Sequence, residues 1–256
     1  MNYPVLISYS NDGYYDFARN MLLNLNSKIR FHKVHFFCLD TAIYEKLKAL
    51  FLPNLDITFE LYNATSVSAI FESYGTKSYN TITHTKVNIL YLSLQRYNFI
   101  HFIDCDVVCV NEPTLAHYEK YEKYDIVFQY DCGMYSADKL HSKNIYHIWT
   151  CTGNTSLRSS EATYFLLDKI SEYQIKHQNL NDQECLEKYF KDEGISDLSE
   201  YTKAKLNVYD LKHYTNGYWL NHNIGSLEDT YFFHANHVIG KEAKMNLLKK
   251  AKLYYL

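Results

Sequence analysis

Apolar residues in this chain come in short blocks separated by polar turns, and the blocks alternate between strand-like and helix-like spacing. Pro4 to Tyr9 is a compact apolar run that stops at Ser10-Asn11-Asp12-Gly13. From Tyr14 to Leu25 apolar residues recur at the spacing of a helix with one buried face. The unit then repeats: Lys33 to Leu39 reads as a strand, Asp40 as a helix cap and Ala42 to Leu50 as a helix. Ile57 to Tyr62 predicts a third strand, a polar stretch runs to Tyr79, and Thr83 to Arg96 predicts another helix. The next block, HFIDCDVVCV at residues 101–110, reads as a buried strand. Past Pro113 the pattern is less regular. Asp125 to Tyr130 and Tyr146 to Thr152 read as strands, and Glu161 to Gln178 and Asp182 to Phe190 as helices. Tyr231 to Val238 reads as a last strand before the basic segment Lys241 to Lys252. Strands alternating with helices at this spacing predict an α/β fold with right-handed crossovers and a mostly parallel central sheet flanked by helices. Ligands are then expected at the carboxyl ends of the strands. No internal repeat, low-complexity tract or Gly/Ser linker interrupts the 256 residues, so a single domain over 1–256 with a C-terminal extension is expected.

One block breaks its own pattern. Phe102, Ile103, Val107, Val108 and Val110 mark a core strand, yet Asp104 and Asp106 sit in the middle of it. Side chains two apart on a strand share a face, so both carboxylates are expected at one spot. Two like charges held there without a cation would cost several kcal/mol. A divalent metal is the simplest remedy.

Composition narrows the partners. The chain is 47% hydrophobic and 21% charged, which is globular, and no segment approaches the ~18 uninterrupted apolar residues of a membrane span. No signal peptide or anchor is readable, and a cytoplasmic location is expected. A formal net charge of −3 argues against a general nucleic-acid binder, so an anionic ligand would need local cations. The six cysteines (Cys38, Cys105, Cys109, Cys132, Cys151, Cys185) lie mostly in apolar runs with no C-x-x-C pair, as expected of buried thiols in a reducing compartment. Asn63-Ala64-Thr65 and Asn154-Thr155-Ser156 fit a glycosylation sequon but, without an export signal, read as chance. Tyr is used 26 times; sugar stacking is one use for such residues and strand packing the commoner one.

The order of the motifs carries further. VLISYSNDGY is followed by FFCLD with AIYEKLKAL; THTKVNILYLSL precedes FIDCDVVCVNEP; then come VFQYDCG, CTGNTSLRSS, NDQECL and HANHVIGKEAK. Together these resemble the nucleotide-diphospho-sugar transferase family, glycosyltransferases of the GT-A fold. FIDCDVVCVNEP resembles the D-x-D metal motif with its closing proline, and HANHVIGKEAK the closing H-x-N-x-x-x-G-x-x-x-K segment. The resemblance runs from the first strand to the last helix. It implies a nucleotide-binding half over 1–113 and a sugar and acceptor half over 114–256. Cys151 departs from the pattern, because such sequences usually carry Asn before the T-G turn.

The resemblance also implies roles. Asp104 and Asp106 would ligate Mn2+ or Mg2+ through hard oxygens, Asp104 also reaching the ribose. His234 would be the third ligand, with His237 as its rival; a lone His beside Phe232 and Phe233 is otherwise a core residue. Lys244, helped by Lys241, would hold the diphosphate, and Lys86 would reach donor phosphate or sugar, the alternative for each being a solvated helix face. Asp131, Asp182 and Gln183 would face the sugar, unless Asp182-Gln183 only caps a helix. Ser8, Tyr9 and Ser10 would meet the nucleoside. The implied reaction moves a sugar from a nucleotide diphosphate, UDP being favoured, to a glycan or glycoconjugate hydroxyl, with retention at the anomeric carbon. A sugar nucleotidyltransferase or a non-catalytic carbohydrate-binding protein are the rival readings. Against the first, Ser10-Asn11-Asp12-Gly13 is not a basic, Gly-rich phosphate loop.

Overall fold

The computed structural model describes residues 2–62, 67–131, 149–195, 197–223 and 226–256. Its centre is a seven-stranded sheet in the order β3-β2-β1-β4-β7-β6-β8. The strands are β1 (Val5–Ser10), β2 (Val34–Cys38), β3 (Ile57–Leu61), β4 (Phe99–Ile103), β6 (Ile126–Asp131), β7 (Trp149–Arg158) and β8 (Leu206–Val208). A second, three-stranded sheet sets β5 (Val107–Cys109), β10 (Phe232–His234) and β9 (Tyr214–Asn216) side by side. In the large sheet β1 pairs parallel with β2 and β4, β2 with β3, and β6 with β8. Only β7 runs antiparallel, between β4 and β6. The sheet is therefore mostly parallel, as the alternation of strands and helices predicts.

The helices are α1 (Tyr15–Lys28), α2 (Thr41–Lys48), α3 (Lys77–Arg96), α4 (Leu115–Glu119), α5 (Glu161–Lys176), α6 (Asp182–Asp192), α7 (Gly217–Asn221) and α8 (Lys241–Lys250). Asp40 caps α2 as expected, accepting from Ile43 N at 2.9 Å. Helix α3 begins at Lys77 rather than Thr83, because Thr76 accepts from Tyr79 N at 3.1 Å and caps a first turn too polar to show an apolar period. The two faces of the large sheet bury separate apolar cores. One gathers Ile7, Phe37, Ile89, Phe102 and Leu166, the other Leu6, Leu22, Phe36, Ile43 and Ile103. Helix α8 packs Leu247 and Leu248 with Phe17, Val108 and Phe233. No described helix is long and apolar enough to cross a membrane.

Three expectations need correction. HFIDCDVVCV is not one strand: β4 ends at Ile103, residues 104–106 turn, and β5 starts at Val107 in the other sheet. Apolar character on both sides of the aspartates comes from two strands buried in two sheets. Strand β7 runs on to Arg158, beyond the expected Thr152, through polar residues that find partners inside the core. Asn154 Oδ1 lies 2.7 Å from His101 Nε2, and Ser156 Oγ accepts from Tyr209 Oη at 2.5 Å. Residues 146–148 of that expected strand, Asn63 to Thr65 of the first sequon, and Cys132 and Gly133 of VFQYDCG lie outside the described residues. The last strand is shorter than Tyr231 to Val238, since β10 stops at His234. Asn154 of the second sequon is fully buried.

Candidate active site

A cavity of about 550 Å3 opens where β1, β4 and β6 end and β7 passes beneath. The turn after β4 builds its centre. Asp104 N donates to Gly153 O at 2.7 Å, and Val107 N donates to Asp104 O at 2.9 Å, which closes the turn. Register brings the third side chain: His234 of β10 pairs with Val107 of β5, and Ala235 N donates to Asp106 O at 3.0 Å. As a result one oxygen of Asp104, one of Asp106 and one ring nitrogen of His234 lie within 4.8 Å of one another. His234 Nε2 is 3.2 Å from Asp106 Oδ1, and Lys244 of α8 pairs with the other Asp106 oxygen.

Lys86, on the buried face of α3, joins this cluster to a second one. Its ammonium is 3.3 Å from Asp104 and 2.8 Å from Asp182. Asp182 opens α6, but Asn181 is the cap, with a full capping box to Glu184. The Asp182 carboxylate is thereby left to the cavity, where Thr152 Oγ1 donates to it at 2.6 Å. The neighbouring Gln183 donates from Nε2 to Asp131 Oδ2 at 3.1 Å. The other Asp131 oxygen takes His237, and Asn236 at 3.5 Å.

Electrostatics follow from these pairs. Burial pushes the Asp104 carboxyl above its usual range despite Lys86, and the Asp106 charge adds to the push. Burial works against the Asp106 carboxylate too, but Lys244 and His234 outweigh it and hold it well below the usual carboxylate range. Burial opposes the charge on Lys86, and the two facing carboxylates more than restore it. The carboxyl groups of Asp104, Asp106 and Asp182 share two ammoniums, those of Lys86 and Lys244.

The donor set fits a hard divalent ion. Two carboxylates and an imidazole nitrogen converge, and Mn2+ and Mg2+ take such donors. Room is made deliberately: a Cβ on Gly153 would collide with the Asp104 carboxylate and sit 2.6 Å from His234 Cε1.

Of the residues singled out from sequence, Tyr9, Lys86, Asp104, Asp106, Asp131, Asp182, Gln183, His234 and Lys244 line this cavity. Ser8 and Ser10 do not. Alternation along β1 turns them away from Tyr9, and Ser10 Oγ donates to Asn11 O at 3.0 Å. Lys241 also lies apart, paired with Asp16 of α1 at 2.7 Å. His237 lines the cavity but sits on Asp131, away from the aspartate pair. Tyr9 Oη donates to Ile82 O at 3.1 Å, and most other tyrosines pack in the core, as Tyr209 on Tyr214 with ring centroids 3.8 Å apart.

Thr152 and Asn236 line the cavity and escaped the sequence reading, and Glu187, outside the lining, lies near Asp131. Burial, with the Asp131 charge nearby, pushes the Glu187 carboxyl up to about 9. Gly13 carried a signal only as a turn residue. In the fold its missing side chain lets the backbone of Ile70 and Phe71 press against it, and Asn11 Nδ2 donates to Ser68 O at 2.5 Å, so the segment after β3 closes over one end of the cavity.

The family model of nucleotide-diphospho-sugar transferases matches residues 31–248. The chain belongs to that family. A comparison with curated proteins finds no match. Among solved structures, an active-site mutant of LgtC aligns with a TM-score of 0.61 at 9% identity, over 98% of this chain and 96% of that one; another LgtC structure is described as a galactosyltransferase with donor and acceptor sugar analogs. Mouse xyloside xylosyltransferase 1 aligns with a TM-score of 0.58 at 14% identity, over 93% of this chain and 98% of that one. The glycosyltransferase GlyE of Streptococcus pneumoniae TIGR4 aligns with a TM-score of 0.56 at 9% identity over 97% of this chain, which spans 60% of the GlyE chain. At these identities the likeness is one of fold, and the fold is that of GT-A glycosyltransferases.

Proposed function

We propose that this nucleotide-diphospho-sugar transferase uses Mn2+ or Mg2+ to move a sugar from a UDP-sugar to a hydroxyl of a glycan or glycoconjugate, with retention. The observation that carries the reading is the convergence of Asp104, Asp106 and His234, with Lys244 already paired to Asp106. A divalent ion bound there would offset charge on the diphosphate as it leaves. Lys244 would turn from Asp106 toward the diphosphate once the carboxylate has a metal partner. Lys86 and Thr152 hold Asp182 in place to accept from sugar hydroxyls.

Retention rests on the surroundings of Gln183. Asp131 has both oxygens engaged, by Gln183 and by His237 and Asn236, and Asp182, held on Oδ2 by Lys86 and Thr152, is assigned to the sugar hydroxyls and not to the anomeric carbon. A front-face path fits better. The bond from the anomeric carbon to the diphosphate breaks, the acceptor oxygen bonds to that carbon on the same face, and its proton passes to the departing phosphate. Calorimetric titration of UDP, GDP and their sugar conjugates, with Mn2+ or with EDTA, tests the donor side. UDP is expected to bind the wild type only with metal and Asp106→Ala not at all. Metal-independent binding, or none by a folded wild type, would overturn the proposal.

A further inference from the structure

Cys151 of β7 is buried against the metal-ligand cluster. Its sulfur is 3.4 Å from His234 Nδ1, while His234 Nε2 faces Asp106 at 3.2 Å. The thiol is part of one short β7 segment that contacts both His234 and Asp104. Two residues on, Gly153 holds the Asp104 backbone and leaves space for the Asp104 carboxylate and the His234 ring.

A metal-ligating histidine needs a partner on its second nitrogen, and the usual partner is a carboxylate, a carbonyl or a water. Carboxylates and carbonyls only accept. A thiol both donates and accepts, weakly in each role. We infer that Cys151 is the positioning residue of His234, reversing its hydrogen-bond role as the site loads. This rests on the metal reading proposed above. In the metal-free site Nε2 is placed to donate to Asp106 and Nδ1 to accept from the Cys151 S–H. With an ion held by Asp104, Asp106 and the Nε2 side of His234, Nδ1 would instead carry the proton and donate to the Cys151 sulfur. A carboxylate in place of the thiol would hold the proton on Nδ1 in both states and lose this freedom.

The test uses metal alone. In protein labelled with 15N-histidine at pH 8, with His234 assigned from His234→Gln, the proton is expected on Nε2 without metal and on Nδ1 with saturating Mg2+. Cys151→Ala is expected to lose about 10- to 100-fold in Mn2+ affinity, the range typical for an outer-shell partner. Cys151→Ser, which keeps a donor and an acceptor, should stay within a few-fold of wild type and carries the test if the alanine variant does not fold. Unchanged affinity in Cys151→Ala, or a ring proton on the same nitrogen with and without Mg2+, would overturn the inference. A wild type that binds neither ion refutes the metal reading instead. The metal-free spectrum still decides the first half of the inference, since a proton on Nδ1 there contradicts it.

Discussion

Replacing His101 with glutamine should make the protein markedly less sensitive to acid. His101 lies in β4 with no solvent exposure, and its ring is held between Tyr118 Oη at 2.9 Å from Nδ1 and Asn154 Oδ1 at 2.7 Å from Nε2. Burial pushes its pKa down to about 3, only partly opposed by the Asn154 bond. In the unfolded chain the group titrates near its ordinary 6.5. The sign follows directly. Above pH 6.5 the ring is neutral in both states and contributes no pH dependence. Below 6.5 the unfolded chain takes up a proton that the folded one refuses, so stability falls as pH falls until the ring protonates in place near 3. Each pH unit in that window removes about 1.4 kcal/mol, so by pH 5 the loss from this one residue is about 2 kcal/mol, a large share of the stability of an ordinary domain.

Other groups titrate in the same window. His117, pushed down to about 3 by burial, acts in the same direction, and Glu187 in the opposite one. The measurement is therefore a difference. Urea unfolding of wild type and His101→Gln at half-unit steps from pH 7.5 to 4.5 cancels the contributions they share. The gap between the two proteins should shift in favour of the variant by about 1.4 kcal/mol per pH unit below 6.5. Parallel curves over that range would refute the reasoning and mean that His101 is protonated, or free to become so, inside the fold.

Gly153→Ala should retain the strand at a cost of about 1–3 kcal/mol from overpacking, yet weaken Mn2+ binding at least tenfold by pushing Asp104 and His234 apart. Manganese titration with a parallel urea melt checks both halves. Lys86→Met leaves Asp104 and Asp182 facing each other without their shared ammonium and should cost about 3–5 kcal/mol in urea unfolding. Lys241→Met removes a half-exposed pair with Asp16 and should change stability by less than about 1 kcal/mol and leave nucleotide binding untouched.

The contrast between Lys86 and Lys241 shows which parts of the site were legible. Apolar period identified the buried strands and most helices because burial on a regular element leaves a repeating trace. It could not say where a polar residue on those elements points. Lys86 lies on a helix that shows only its apolar stripe, and its partners appear once α3 is set over β1 and β4. Lys241 and Lys244 are three apart in one basic segment, and only the docking of α8 against β5 and β10 separates the one that reaches Asp106 from the one that pairs with Asp16. The aspartates illustrate the same limit from the other side. Their apolar neighbours belong to two sheets, and β9 and β10, which complete the second, are three residues each, too short for any period. Nothing local distinguishes a strand with two misplaced charges from a chain leaving one sheet for another. Two enclosed carboxylates require a cation whether a strand or a turn holds them, and here Lys86 beside Asp104 and Lys244 beside Asp106 meet part of that need, two lysines the aspartate pattern alone could not point to. The same logic extends to Cys151: a departure from the expected residue was visible at once, but its meaning depends on a ring nitrogen supplied 83 positions later.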